Sequence, residues 1–265
     1  MTIKKRDPYA EVKAKLAESR SLIYFDIETR PMKAWIWGLG QQYVTHSQIA
    51  EESRVISIQW MFEGDKKTSY LTWDKHQNDA TMLEKFSEIM RDVKVAVSQN
   101  GRSFDHKVLQ WRLNVHELPP LRDVAIIDTL TLSRQAFRAP SHKLDYRSKI
   151  YGLGGKIPMV LQDWIDVVEE KPGALKKMID YGCKDIPDLR GIFWKELPYY
   201  KSLPISLSTL LYPKSKEARL FCPRCASQRQ RKFDVYPVKT GNKLMMECGN
   251  CKHLWKETRE TKIES

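Results

Sequence analysis

The sequence predicts an α/β fold, a mixed sheet flanked by helices, followed by a small cysteine-rich module. Three observations carry this. Apolar runs of strand length alternate with helix-period segments between residues 21 and 197, two early runs are joined by a short polar turn as in a meander, and two Cys-x-x-Cys pairs stand near the C-terminal end. A chain of 265 residues, 42% hydrophobic, is long enough for one sizeable domain and a small one. The expected organisation is a charged helical arm over 1–20, the main domain over 21–197, a linker punctuated by Pro198, Pro204 and Pro213 over 198–218, the cysteine module over 219–258, and a tail over 259–265.

Each element follows from its pattern. Residues 9–19 read as a short charged helix. Residues 21–25, Ser-Leu-Ile-Tyr-Phe, are an apolar run of strand length. Residues 54–62 and 68–73 alternate as two further strands, with 63–67 as the turn of an antiparallel meander. Asn78 reads as the N-cap of a helix over 79–92, in which Met82, Leu83, Phe86, Ile89 and Met90 recur at helical spacing. A strand over 93–98 delivers Asn100, and a helix over 103–113 begins near Asp105. A strand over 124–127 runs into Asp128, which reads as a helix cap rather than a further site acid. A helix over 141–151 precedes the loop 152–156, and Pro172-Gly173 open the helix that carries Tyr181 and Asp185.

Asp26 and Glu28 are one residue apart at the end of the first apolar run, so on a strand they point to the same side. Two neighbouring carboxylates on a buried strand cost several kcal/mol unless a cation or protons neutralise them. Tyr181 and Asp185, four apart, share a helix face. Glycines and Lys156 in the 152–156 loop lack the pattern around a nucleotide-binding loop and read as a turn.

Three segments, Phe25-Asp26-Ile27-Glu28-Thr29, Asn100 to Phe104-Asp105, and Tyr181-Gly182-Cys183-Lys184-Asp185, together resemble the three motifs of the DEDD superfamily of 3′-to-5′ exonucleases. The spacing of Tyr181 and Asp185 resembles the tyrosine subtype found in proofreading domains of family B DNA polymerases. The resemblance covers about residues 20–197 and implies a ribonuclease H-like fold and a site holding two Mg²⁺ or Mn²⁺ ions. It further implies that Asp26 bridges both ions, Glu28 and Asp185 complete the site generating the nucleophile, Asp105 holds the second ion, and Tyr181 orients the attacking water. Thr29, Asn100 and Phe104 match positions near the terminal nucleotide. Phe104 either stacks on a base or packs as a core aromatic, and Trp35 and Trp37 either hold unpaired bases or pack one face of a strand.

The second strong pattern is Cys222-Pro-Arg-Cys225 and Cys248-Gly-Asn-Cys251, with 22 residues between the pairs. Two such knuckles present four thiolates to one Zn²⁺, and the alternation over 232–236 and 243–246 fits the hairpin of a zinc ribbon. Ala226 and Lys252 stand where glycine often follows each knuckle. His253 reads as outside the ligand set and Cys183 as a small apolar residue. The formal charge is +12, and residues 198–265 hold 14 Lys and Arg against 6 Asp and Glu. With Arg219, Arg224, Arg229, Arg231, Lys232, Lys239 and Lys243, the ribbon is expected to be a basic clamp on nucleic acid.

The sequence has no apolar run long enough to span a membrane and no apolar leader, so a reducing cytoplasm is the expected setting. The resemblance implies an exonuclease acting on single-stranded DNA. The alternatives are an exoribonuclease, or an accessory factor whose ribbon binds nucleic acid or docks on a replication or repair partner.

Overall fold

Two central strands set the architecture. The structure, a computed structural model, describes residues 7–154, 157–213, 220–238 and 241–257. A helix α1 (Ala10–Ser19) leads into β1 (Leu22–Thr29); a two-residue β2 (Lys33–Ala34) pairs with β3 (Ile49–Glu51), and β4 (Val55–Phe62) and β5 (Ser69–Thr72) follow. Then come α2 (Ala80–Met90), β6 (Val95–Ser98), α3 (Asp105–Val115), β7 (Ala125–Asp128), α4 (Thr129–Ala136), α5 (Leu144–Tyr151), α6 (Leu161–Val168) and the long α7 (Ala174–Glu196). The chain closes with α8 (Leu207–Leu211) and the ribbon strands β8 (Gln230–Val238), β9 (Gly241–Cys248) and β10 (Leu254–Lys256).

The main sheet has the order β5-β4-β1-β6-β7. β4 is antiparallel to β1 and to β5, whereas β6 and β7 run parallel to β1 and to each other. The fold class is therefore the expected one, a mixed five-stranded sheet flanked by helices, with a cysteine cluster at its C-terminal end. All of β4 is buried, and its pairing extends β1 as far as Thr29. Asp26 and Glu28 therefore lie on the strand itself, opposite Gln59 and Ser57, rather than beyond the end of the apolar run.

Alternation along β1 divides the core. Leu22 and Tyr24 face α7, in a cluster with Ile186, Leu189 and Phe193. Ile23, Phe25 and Ile27 face the other side, in a cluster with Phe86 of α2 and Leu109 and Leu113 of α3. By the same parity Asp26 and Glu28 continue the α7 face. Helix α1, expected as an arm, packs Val12 and Leu16 into this core together with Tyr9.

Helix α2 begins one residue later than its pattern predicts. Asn78 accepts a hydrogen bond from Ala80 N (2.9 Å), but the N-cap is Asp79, whose carboxylate is taken into the interior. There it accepts from Val55 N (2.9 Å) and, at both oxygens, from the Arg112 guanidinium (2.8 and 2.9 Å), with His116 Nε2 at 2.6 Å. One buried carboxylate thus ties β4, α2 and α3 together. Burial pushes its pKa up, but the Arg112 hydrogen bonds and the others outweigh that and hold it below the usual carboxylate value.

Replacing Asp79 with Ala leaves Arg112 buried without its partner and should cost about 3–5 kcal/mol in urea denaturation. Because the depressed pKa stabilises the fold above about pH 4 and that contribution fades as pH falls through the native value, the gap to wild type should narrow under acid.

Candidate active site and metal centre

The acidic face of β1 meets α7 at Gly182. A Cβ there would lie 2.6 Å from the Gln59 side chain, so only glycine lets the helix approach β4 this closely. The α7 face that packs Leu189 and Phe193 against Tyr24 and Leu22 also presents Asp185 and Tyr181, one and two turns earlier, to the stretch of β1 holding Asp26 and Glu28. Pro187 inside α7 cannot donate to the carbonyl of Cys183; the Thr68 hydroxyl of the β4–β5 connection donates to it instead (2.9 Å). Trp164 of α6 meets the Tyr181 ring edge-on, with centroids 6.1 Å apart. Helix α6 is not among the elements read from the sequence, although Leu161, Trp164, Ile165 and Val168 recur in it at helical spacing.

Asp105 arrives from the opposite side. β1 outruns β6, whose pairing with it extends only to Tyr24 and Val97, and the free Ile27 N–H donates to Asp105 Oδ1 (3.2 Å) at the first turn of α3. The Asp26 and Asp105 side chains lie within hydrogen-bonding reach of each other, so a proton or a cation between them would relieve their repulsion. Burial, then the charges of Asp105, Glu28 and Asp185, push Asp26 well above the carboxylate range. Burial likewise raises Asp105 to about 6. Asp26, Glu28, Asp105 and Asp185 therefore share one electrostatic environment. Tyr181 belongs to it too: burial, then the charges of Asp185, Glu28 and Asp26 and a hydrogen bond with Asp185, raise its pKa far above the phenol value. At neutral pH Tyr181 is a protonated donor.

Asn100 sits at φ +68°, a left-handed turn, and its N–H donates to Asp128 Oδ1 (3.0 Å). Asp128 also accepts from Leu130 N and Thr131 N and is the cap that its position predicts. The neighbouring Gln99 accepts from Thr129 Oγ1 (2.7 Å) and from Arg147, and Arg147 pairs with Glu196 of α7 (2.9 Å). Tyr151 and Tyr200 also donate to Glu196, both at 2.9 Å. This buried network braces the Asn100 turn against the end of α7, and no local pattern announces it. Phe104 is 44% exposed beside Asp105, so it is not a core aromatic. Thr29 is half-buried at the end of β1. Cys183 is half-buried with its thiol pushed up to about 11 by burial, and stays a protonated thiol.

In the ribbon, the sulfurs of Cys222, Cys225, Cys248 and Cys251 lie within 4.8 Å of one another, including 3.7 Å for Cys222–Cys251 and 3.5 Å for Cys225–Cys248. Tetrahedral Zn²⁺ with 2.3 Å bonds would set neighbouring sulfurs about 3.8 Å apart, so the donor set fits that ion. Knuckle amides point at sulfur, Arg224 N at Cys222 (3.5 Å) and Asn250 N at Cys248 (3.4 Å). Ala226 and Lys252 adopt φ +52° and +61°, the conformation that glycine would take at these positions without strain. His253 lies outside the cluster and stacks on Trp255, with burial lowering its pKa to about 4.

Arg224 is not part of a basic clamp. It is 4% exposed, and its guanidinium donates to the carbonyls of Leu197 (2.5 Å) and Pro198 (2.6 Å) at the end of α7. Asn250 donates to Pro8 O (2.8 Å), and Tyr200, Leu207 and Leu210 join the four cysteines' core cluster. Within 198–218 these residues thus pack the ribbon onto the main domain. Arg219, Lys239 and the Lys243 side chain lie outside the described residues.

No family model matches this chain, and no curated protein matches it. A solved structure does: the family B DNA polymerase from the hyperthermophilic archaeon Pyrobaculum calidifontis, with a TM-score of 0.51 at 13% identity. The match covers 82% of this chain and 31% of the polymerase chain, so this chain spans under a third of its neighbour's length. The likeness is one of fold. Among the described residues no helix is long and apolar enough to cross a membrane.

Two measurements probe the acidic site and the ribbon. Asp105 keeps its proton to about pH 6 in the folded protein, whereas a free carboxyl releases it near 3.8, so its stabilising contribution is full below 3.8 and is lost as pH rises through 6. In EDTA at about pH 7.5, Asp105→Asn should gain on the order of 1–3 kcal/mol over wild type by thermal melting, and the gain should vanish toward pH 4. In the ribbon, Lys252→Gly should stabilise by about 0.5–1 kcal/mol by relieving the left-handed strain, with zinc content unchanged. Cys248→Ser with Cys251→Ser should abolish stoichiometric zinc by elemental analysis.

Proposed function

We propose that this protein is a metal-dependent 3′-to-5′ exonuclease that hydrolyses single-stranded DNA to nucleoside 5′-monophosphates, a DEDD enzyme of the tyrosine subtype. The observation that carries the reading is the convergence of four carboxylates from β1, α3 and α7 on one environment, with a protonated phenol among them. Its fold-level likeness to a DNA polymerase is consistent with a nucleic-acid substrate.

The donor set is hard oxygen throughout, which suits Mg²⁺ or Mn²⁺ rather than a softer ion. Asp26, Glu28, Asp105 and Asp185 would hold the ions, whose charge would offset the repulsion among the four carboxylates. Bound there, two divalent ions acidify water and neutralise phosphate oxygens. The chain's own residues do the rest. Tyr181, held protonated, hydrogen-bonds Asp185 in the chain without ions; with Asp185 turned to an ion, its one O–H would be free to orient the attacking water, from which it takes no proton. Asn100, fixed by Asp128, and exposed Phe104 face the terminal nucleotide, Phe104 offering its ring to a base. Thr29 ends the strand that carries Asp26 and Glu28. The zinc ribbon, docked on the main domain, contributes exposed Arg229 and Lys232 to the backbone of the strand, while the Arg231 guanidinium is held by Glu247.

The decisive assay follows products from 5′-labelled single-stranded DNA and the matching RNA with Mg²⁺, Mn²⁺ or EDTA. A ladder shortening from the 3′ end, lost in EDTA and in Asp26→Ala, is expected, with DNA degraded faster than RNA. Tyr181→Phe should slow turnover about 10- to 1000-fold without abolishing it. Full activity of purified Asp26→Ala would remove the basis of the assignment.

A further inference from the structure

The loop that follows the acidic strand carries an unusual surface. Trp37 and Leu39 are fully exposed, Tyr43 is 90% and Trp35 74% exposed, and Ile36 joins them. So many large apolar side chains in water on one short loop mark a contact surface rather than a packing element. The loop's root, by contrast, is fixed. Arg30 N donates to Arg54 O (2.9 Å), the Arg30 guanidinium pairs with Glu51, β2 pairs with β3, and Trp35 N donates to Gln48 O (2.9 Å).

Two features identify what covers the surface. From Pro31 to Ala50 the sequence has no Asp or Glu but has Lys33, and Glu51 at the root is paired with Arg30 and Lys33, so nothing in the loop repels a polyanion. The loop also continues directly from the strand that holds Asp26 and Glu28. Trp35 is seven residues beyond Glu28, which places it at most about 24 Å away along an extended chain, a span that a few unpaired nucleotides bridge. Aromatic rings stack on bases without regard to sequence, and a strand entering a nuclease site presents bases that have lost their partners.

We propose that Trp35, Trp37 and Tyr43 form a stacking platform for unpaired bases upstream of the nucleotide held at Asp26 and Glu28, making a single strand of several nucleotides the substrate class. This rests on the nuclease reading above. The platform grips bases while the acidic site works on the phosphate beyond them, so its loss acts on binding of long strands and leaves chemistry on short ones alone.

The test compares the wild-type chain with Trp35→Ala/Trp37→Ala/Tyr43→Ala, whose thermal midpoint should not move because all three side chains are exposed. In EDTA, fluorescence anisotropy with a 5′-labelled oligodeoxynucleotide should show affinity falling about tenfold or more. A strand of the same length with abasic residues upstream should bind the two proteins equally weakly, and a variant with Phe at all three positions should bind like wild type. With Mn²⁺, KM for the oligonucleotide should rise while dinucleotide turnover stays unchanged. Unchanged affinity for the normal strand, or an equal loss of affinity for the abasic one, would overturn the platform. So would loop-dependent binding to phosphatidylglycerol vesicles with no effect on the strand. If the wild-type protein hydrolyses neither the oligonucleotide nor the dinucleotide, the nuclease reading fails, and the anisotropy comparison still decides whether the loop stacks bases.

Discussion

The contact between α7 and the central strand is the constraint on which the rest depends. One helix face lies along one strand face: Phe193 and Leu189 against Leu22 and Tyr24 in the core, then Asp185 and Tyr181 toward Asp26 and Glu28. Burial of the apolar half holds the two elements in register and supplies the energy that brings the acidic half together. Gly182 sets how near the helix can come, since any larger residue would meet Gln59. The site is thus the continuation of the core into a region where the same geometry is populated by charge.

That continuation costs stability. Burial and mutual repulsion raise the pKa of Asp26 and Asp105, and the tyrosine among the carboxylates stays neutral. The surrounding polar groups are held with little slack. Asp79 satisfies Arg112 and Val55 N, Glu196 gathers Arg147, Tyr151 and Tyr200, and Asp128 fixes the turn of Asn100. A site built on a strand and two helices, with its loops tied by buried ion pairs, keeps its acids in place even though they repel one another.

The cysteine cluster plays a structural part in the same body. Its knuckles lie in the core cluster of α1 and α7, and Arg224 has its guanidinium against the last carbonyls of α7. A module too small to bury a core of its own gains one both from the ion its thiolates fit and from the domain it leans on. The left-handed Ala226 and Lys252 are strained, and packing around the knuckles holds them there.

Strands and helices of the main domain were legible because their periods are local: β4, β5, α2, α3 and α7 fall where alternation and helical spacing place them. The Asp26/Glu28 and Tyr181/Asp185 pairs and the four cysteines could be read locally, because spacing within a strand, a helix or a knuckle determines which side chains share a face, whereas Asp105 entered only through the family resemblance. What the sequence could not settle depends on long-range neighbours. The extension of β1 through Thr29 comes from β4, the role of Asp79 from Arg112, the buried place of Arg224 from the end of α7, and the exposure of Phe104 and Trp37 from the absence of covering elements among the described residues. Residue types and their periods fixed which groups are available, and only tertiary packing decided which of them meet, because burial, charge coupling and close approach are properties of pairs distant along the chain.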